Sequence, residues 1–156
     1  VYYPRIPWHK VISVRFYLED VIMPKKFPQK LEGFNPFGDL IGLSFAKVED
    51  GYCQCVLEVN DRLMSPQKAL HGGVAYSMAD TGMGAALYSV METDELCASI
   101  EVSMAYFRAV TAGILTCDTR VIHRSKRIAT LESEVYNEGN LIAKAIGIFS
   151  IFKGKN

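Results

Sequence analysis

Residues 72–89 read GGVAYSMADTGMGAALYS, and this stretch decides the fold. Its apolar residues recur at the spacing of an α-helix, at Val74, Met78, Ala79, Met83, Ala86 and Leu87. Most of the remaining positions are small or apolar as well, so we expect the helix to be enclosed on nearly all sides. The sequence therefore predicts one long, buried, central helix.

Candidate strands lie on both sides of this helix. Alternating apolar residues predict two strands before it, at 40–47 and 52–59, joined by the turn Glu49-Asp50-Gly51. Four more are predicted after it, at 99–106, 114–122, 128–136 and 141–152. The breaks between these four are short, including Thr111-Ala112-Gly113, and short breaks join antiparallel neighbours. We therefore expect an α+β domain in which an antiparallel sheet surrounds one helix.

The first 36 residues differ from the rest of the chain. Five of the six prolines precede residue 37, although Ile12, Val14, Phe16 and Leu18 alternate as one strand face does. We interpret residues 1–36 as an N-terminal extension and residues 37–156 as one domain, which is long enough to bury a core.

Composition excludes several classes of partner. Seventeen basic residues balance seventeen acidic ones, and neither sign forms a long run, so a nucleic-acid partner is not expected. Asp80 and the glycines interrupt the longest apolar stretch, which disfavours a membrane span. Cys53 and Cys55 lack the spacing of a CxxC site, and the three histidines are far apart, so no metal or other cofactor is predicted. Reduced thiols favour a cytoplasmic protein.

Asp80 lies inside the apolar helix, where an ionised carboxylate needs a hydrogen-bonding partner or contact with a cleft. The plain interpretation is a structural aspartate bonded to Ser77, Thr81 or the backbone. At the start of the helix, His71-Gly72-Gly73 presents backbone N–H groups at the positive end of the helix dipole, where an oxyanion could bind. The two glycines could equally serve only a tight turn.

The spacing between the two features limits how they can cooperate. Gly72 and Asp80 are separated by roughly 12 Å along one helix, because each residue adds about 1.5 Å. Both cannot touch one reacting carbonyl. If they act together, the carboxylate must come from a second, antiparallel copy of the helix, which predicts a two-fold dimer with its sites at the interface.

Residues 71–80, HGGVAYSMAD, resemble the central-helix signature of hotdog-fold acyl-CoA thioesterases of the phenylacetic-acid-degradation type. Residues 99–108, SIEVSMAYFR, are similar to the strand that follows the helix in that family, and the likeness extends over about residues 40–152. The resemblance implies a hotdog fold, homodimers that often pair into homotetramers, and hydrolysis of acyl-CoA without a metal or other cofactor.

The same resemblance implies roles for individual residues. The family's carboxylate falls on Asp80 and its oxyanion N–H on Gly72 of the other subunit, with His71 holding the loop. The polar residue that helps place water or substrate falls on Ser99. Ser65 stands where the family commonly has Asn or Gln, which holds the thioester, so this chain departs from the pattern there.

Candidate substrate contacts divide between the two ends of an acyl-CoA. Near the acyl end we place Tyr76, Met83 and Leu87, for which plain core packing is the alternative. Gly73 is a further candidate contact to the substrate. Near the phosphates of CoA we place Arg108, Arg124, Lys126 and Arg127, for which solvated turn charges are the alternative. An aromatic acyl group and a medium or long chain are both compatible with the sequence.

Asp80 is expected to act as a general base on water or as a nucleophile on the thioester carbonyl. Three other functions stay open at this point. A hotdog dehydratase or hydratase would pair a catalytic histidine with the carboxylate. A non-catalytic regulator would bind acyl-CoA without releasing thiol, and a structural assembly module would need neither Asp80 nor the glycine turn.

Overall fold

The computed structural model describes residues 35–154. In chain order, its elements are α1 (Pro36–Ile41), β1 (Leu43–Glu49), β2 (Tyr52–Glu58), a 3-10 turn (Asp61–Leu63), α2 (Gly72–Tyr88), β3 (Glu95–Tyr106), β4 (Ile114–Arg124), β5 (Ile128–Asn137) and β6 (Asn140–Lys153). The predicted strand at 12–18, like most of the predicted extension, lies outside the described residues.

The strands form one antiparallel sheet in the order β1-β2-β4-β5-β6-β3, and α2 packs across one face. Alternation along the strands decides which side chains face the helix. In β4, for example, Leu115, Cys117 and Thr119 are buried and their neighbours are not. The predicted α+β architecture, an antiparallel sheet around one long helix, is confirmed.

The connection from β3 to β4 differs from the prediction. The short break around Thr111-Ala112-Gly113 indicated antiparallel neighbours, but β3 pairs only with β6, and β4 lies between β2 and β5. Residues 107–113 therefore cross the end of the sheet over three strand spacings, about 14 Å at the usual strand separation. Pairing partners depend on the whole sheet, and a break of seven residues is long enough for this crossing.

The start of the first strand was also predicted wrongly. Leu40 and Ile41 end α1, and β1 begins only at Leu43 because Gly42 closes the helix in a left-handed conformation with φ 78°. Six residues are too few for a helical period to be visible. The signal that was present is Asn35-Pro36, since the Asn35 side chain accepts from the Gly38 N–H and proline suits the first helical turn.

Helix α2 is buried only along the side that packs on the sheet. Within the single chain its other side is open, so the prediction that it is enclosed on nearly all sides is wrong for the protomer. We call this side the open face of α2; its residues are all exposed or part-buried: Tyr76, Ser77, Asp80, Thr81, Gly84 and Tyr88. Asp80 therefore lies on the surface that a second subunit could cover.

Two features of residues 35–154 bear on function. Neither described helix is both long and apolar enough to cross a lipid bilayer. Within the same residues, no group of three or more His, Cys, Asp or Glu side chains is arranged to hold a metal ion.

Candidate active site

The carboxylate of Asp80 has a specific partner on the neighbouring strand. Ser99 Oγ donates a hydrogen bond to Asp80 Oδ1 at 2.7 Å, which joins the open face of α2 to β3. Ser77 instead donates to the Gly73 carbonyl oxygen at 2.7 Å. The helical neighbour Ser77 thus does not stabilise the carboxylate. Asp80 is part-buried and keeps contact with a cleft.

The cleft at Asp80 has a volume of about 330 Å³. Its polar lining residues include Asp80, Thr81 and Ser99 together with Asn35. Aromatic, small and sulfur-containing side chains form much of the remaining wall: Phe45, Gly84, Ala85, Tyr88, Cys97, Ala98 and Phe149. Gly84 and Tyr88 were not predicted as site residues, although their spacing of four and eight residues from Asp80 predicts that they share its helix face. Phe45 and Phe149 arrive from distant strands and give no such signal.

The glycine turn leaves one backbone donor unused. His71 is the N-cap of α2, and its Nδ1 accepts from the Gly73 N–H at 3.0 Å, while the Val74 N–H donates to the His71 carbonyl oxygen at 2.9 Å. Within residues 35–154, the Gly72 N–H has no acceptor. It stands at the positive end of a helix of 17 residues, where an anionic oxygen is stabilised.

A second cleft, of about 400 Å³, opens beside this turn. It is lined by Phe37, Ile41, Arg62, Leu63, Met64, His71, Gly73, Val74 and Ser77, none of which lines the cleft at Asp80. Ser65 is part-buried next to Met64, in a turn closed by the Met64–Leu70 bridge. One protomer therefore carries the carboxylate and the glycine turn in two separate clefts.

Comparison with known proteins decides the family. The thioesterase superfamily model matches residues 67–144, half of the chain, and this range includes the glycine turn, Asp80 and Ser99. The chain belongs to the thioesterase superfamily. The thioesterase is accordingly a hydrolase with a hotdog fold, as its sheet and central helix require.

Three individual proteins illustrate the similarity of this thioesterase to its relatives. A candidate esterase of Saccharolobus solfataricus is 30% identical over 121 residues, which cover 76% of this chain and 79% of that protein. The 1,4-dihydroxy-2-naphthoyl-CoA hydrolase of Listeria monocytogenes is 27% identical over 100 residues, 64% of this chain and 81% of the relative. A mutant of the phenylacetic acid degradation protein PaaI from Thermus thermophilus superposes with TM-score 0.69 at 27% identity, covering 74% of this chain and 97% of that one.

The structure of the thioesterase places two predicted acyl contacts in the core. Met83 and Leu87 are fully buried on the side of α2 that faces the sheet, and the Met83 thioether lies against Gly147 of β6. Neither residue lines the cleft at Asp80. Tyr76 does lie on the open face, with 39% of its surface exposed. The helical spacing of Met83 and Leu87 therefore reflects their packing in the core.

The predicted CoA contacts of the thioesterase lie in two places. Lys126 and Arg127 line a cavity of about 920 Å³ beyond the C-terminal end of α2. Arg124 lines it too, but is ion-paired at 2.5 Å with the buried Glu95. Arg108 lies past the end of β3, on the segment beside the glycine turn, so a single protomer does not bring it to the other basic residues.

Three of the four cysteines of the thioesterase serve packing. Cys53, Cys55 and Cys117 are fully buried under α2, and none of the four cysteines, all within the described residues, forms a disulfide. Burial raises the pKa of the Cys117 thiol to about 12. A hydrogen bond with Cys53, together with burial, raises the pKa of Cys55. The raised pKa values of the Cys55 and Cys117 thiols disfavour a nucleophilic role for these two residues.

Proposed function

We propose that this protein hydrolyses an acyl-CoA thioester to the free acid and CoA, with Asp80 as its catalytic carboxylate. The observation that carries the proposal is the carboxylate itself, held by Ser99 in a cleft that is otherwise largely apolar. Such a cleft suits an apolar acyl group whose carbonyl meets the carboxylate. The similarity to a naphthoyl-CoA hydrolase supports a CoA thioester as the substrate.

We further propose that each active site is shared between two subunits. The carboxylate lies in one cleft of the protomer, whereas His71 and Gly73 of the glycine turn line the other, and Asp80 and Gly72 are roughly 12 Å apart along α2. Two copies of the open face packed antiparallel would bring the Asp80 of one subunit toward the Gly72 of the other. We propose a homodimer that pairs into a homotetramer and acts in the cytoplasm.

In the proposed reaction, Asp80 takes a proton from a water molecule that attacks the thioester carbonyl. The carbonyl oxygen becomes an oxyanion and accepts a hydrogen bond from the partner subunit's Gly72 N–H. Collapse of this intermediate breaks the carbon–sulfur bond, and the departing CoA sulfur takes the proton from Asp80, which releases CoA as the thiol and regenerates the carboxylate. Alternatively, Asp80 attacks the carbonyl and forms an anhydride, which water then hydrolyses. A single turnover in heavy-oxygen water separates the routes, because only the anhydride route can label the Asp80 carboxylate.

The proposal is tested by free-thiol release from a panel of aromatic and straight-chain acyl-CoAs. Release from at least one member by the wild type supports a thioesterase. Tight binding of acyl-CoA without thiol release would replace the proposal with a non-catalytic regulator. A dehydratase would need a catalytic histidine beside the carboxylate, whereas His71 is the N-cap of α2, where its Nδ1 accepts from the Gly73 N–H, and His123 is exposed near the end of β4.

Gly84 is the residue that we expect to leave room for the acyl group in the cleft. It lies one helical turn beyond Asp80, lines the same cleft, and a Cβ added to it would meet no atom within 4 Å. A glycine inside a helix costs about 1 kcal/mol relative to alanine, and no contact within the protomer requires one here. We attribute the glycine at this position to the space that the acyl group needs.

Gly84→Leu is therefore expected to fill the cleft and lower kcat/KM for the largest accepted acyl group by at least about tenfold, since one methylene can change selection by about tenfold or more. Activity on acetyl-CoA or another short acyl-CoA should fall less. The measurement is kcat/KM across the panel, with Gly84→Ala as the smaller control. An equal loss on short and long acyl groups would contradict an acyl-facing Gly84.

Lys126 and Arg127 are proposed to bind the phosphates of CoA. The double reversal Lys126→Glu and Arg127→Glu should raise KM for acyl-CoA by about tenfold to a hundredfold, because charge-assisted hydrogen bonds to phosphate are lost and repulsion replaces them. Turnover of the matching acyl-pantetheine, which lacks the nucleotide phosphates, should not change. Lys47→Glu on β1, which removes a cation paired with Glu49, is the control. If the double variant changes KM equally for acyl-CoA and acyl-pantetheine, Lys126 and Arg127 do not bind the phosphates of CoA.

A further inference from the structure

Tyr106, the last residue of β3, lies directly against the glycine turn. Its hydroxyl donates a hydrogen bond to the Gly72 carbonyl oxygen at 3.0 Å. Its ring packs on the same residue, since a Cβ added to Gly72 would lie 3.3 Å from a ring carbon of Tyr106. The tyrosine thus contacts, by its hydroxyl and by its ring, the residue whose N–H is unused.

The Gly72 carbonyl does not depend on Tyr106 for a partner. In an α-helix that begins at Gly72, this carbonyl accepts from the N–H four residues later, at Tyr76. The phenol therefore supplies a second hydrogen bond to a group that is already satisfied. This second hydrogen bond restrains the backbone at Gly72, and it is not needed to satisfy a buried carbonyl oxygen.

Two restraints meet at Gly72 as a result. On the one side, His71 Nδ1 holds the Gly73 N–H at 3.0 Å, and on the other, Tyr106 holds the Gly72 carbonyl. Glycine has more backbone freedom than any other residue, so a turn of two glycines needs external restraints to keep one N–H direction. With both in place, the Gly72 N–H keeps a fixed direction at the start of α2.

The Tyr106 hydroxyl also stays a donor at neutral pH. Burial, followed by the neighbouring Tyr76, raises the pKa of Tyr106 above its ordinary value. The phenol proton is therefore present throughout the range in which the enzyme would work.

We propose that Tyr106 is a positioning residue, which holds the Gly72 backbone so that its N–H meets the oxyanion of the thioester transition state. This inference rests on the proposed function, since it assigns the oxyanion to Gly72. Tyr106 itself need not touch the substrate.

The variant that tests this is Tyr106→Phe, which keeps the ring against Gly72 and removes only the hydroxyl. We expect kcat to fall about tenfold to a hundredfold with KM nearly unchanged, because small misplacements of a catalytic group cost up to about a hundredfold. Tyr136→Phe is the matched control. It removes a tyrosine hydroxyl bonded at 2.8 Å to Glu134 on β5, away from the glycine turn.

A second measurement separates positioning from general loss of structure. An acyl-CoA analogue with a difluoromethylene ketone (–CO–CF2–) in place of the thioester adds water or a carboxylate to form a tetrahedral oxyanion, whereas the corresponding thioether analogue has no carbonyl. Tyr106→Phe should weaken binding of the ketone by the same factor as kcat and leave binding of the thioether unchanged. Tm of the variant should stay within a few degrees of that of the wild type.

The outcomes distinguish this inference from the proposed function. Wild-type thioesterase activity with normal kcat and normal ketone affinity in Tyr106→Phe would overturn the role of Tyr106 alone. Equal weakening of both analogues would also overturn it, since that points to a damaged binding site. A wild type that neither releases thiol nor prefers the ketone over the thioether would overturn the proposed function and this inference together.

Discussion

Asp80→Asn should lower turnover of acyl-CoA by about three orders of magnitude, within the range of general acid–base catalysis. The amide has nearly the same shape, and its oxygen can still accept the hydrogen bond from Ser99 Oγ. It can neither take a proton from water nor attack a carbonyl. KM should therefore change little while kcat falls, as measured by thiol release under saturating substrate.

The matched control for this variant is Asp118→Asn. Asp118 is also part-buried and accepts hydrogen bonds from Gln54 and Tyr52, but it belongs to β4, away from both clefts. Its variant should keep nearly normal turnover. If Asp80→Asn folds and also turns over normally, Asp80 is not part of the mechanism.

Gly72→Pro is expected to lower kcat by a factor of a hundred to a thousand, the usual effect of removing one oxyanion donor, about 3 kcal/mol. Proline has no N–H, so this variant deletes the proposed donor itself. The backbone should tolerate it, since Gly72 is the first residue of α2 and proline is favoured there. His71, with φ −65° and ψ 129°, already has the extended conformation that a following proline needs.

Gly72→Ala is the control, because it keeps the N–H and adds a Cβ. That Cβ would lie 3.3 Å from the Tyr106 ring, so the alanine variant measures the cost of crowding this contact. The difference in kcat between the proline and alanine variants reports the N–H alone. Equal turnover in the two variants would exclude the Gly72 N–H as oxyanion donor.

Mixing the two inactive variants then tests whether the site is shared. In a heterodimer of Asp80→Asn with Gly72→Pro, one site combines an intact Gly72 with an intact Asp80 from the other subunit, and the second site has neither. Random re-association after joint refolding makes half of the dimers heterodimers, so about a quarter of wild-type activity should return. No recovery in a verified heterodimer would place both groups of each site in one subunit.

The central helix and the last two hairpins could be predicted because both depend on residues that are close together in the sequence. Helix α2 begins at the predicted Gly72 and ends one residue before the predicted Ser89, since the helical repeat and the glycine turn are local features. The hairpins of β4, β5 and β6 also occur as predicted, because short turns constrain their partners. The short helix α1 was not predicted because six residues are too few to show a helical repeat. The crossing after β3 was not predicted because the path of a loop depends on which strands pair.

The candidate site divides in a similar way. Asp80 and the glycine turn were visible in the sequence, because a carboxylate in an apolar helix and two adjacent glycines are unusual in any fold. The contact between Ser99 and Asp80 was expected only from the family resemblance. Of the predicted acyl contacts, Met83 and Leu87 are buried in the core and Tyr76 lies on the open face. Met83 and Gly84 are neighbours in sequence, and only packing decides which of them faces the sheet.

The sequence by itself determined the central helix, the antiparallel strands and the family, since each depends on the identity and spacing of residues. It also determined that one helix cannot bring Gly72 and Asp80 to the same carbonyl, because the rise per residue is fixed. Only the tertiary structure shows that Asp80 and Gly84 line the same cleft, whose walls include aromatic residues, and that the Tyr106 hydroxyl donates to the Gly72 carbonyl oxygen. These contacts join residues far apart in the chain, and their geometry depends on how the whole sheet packs on the helix.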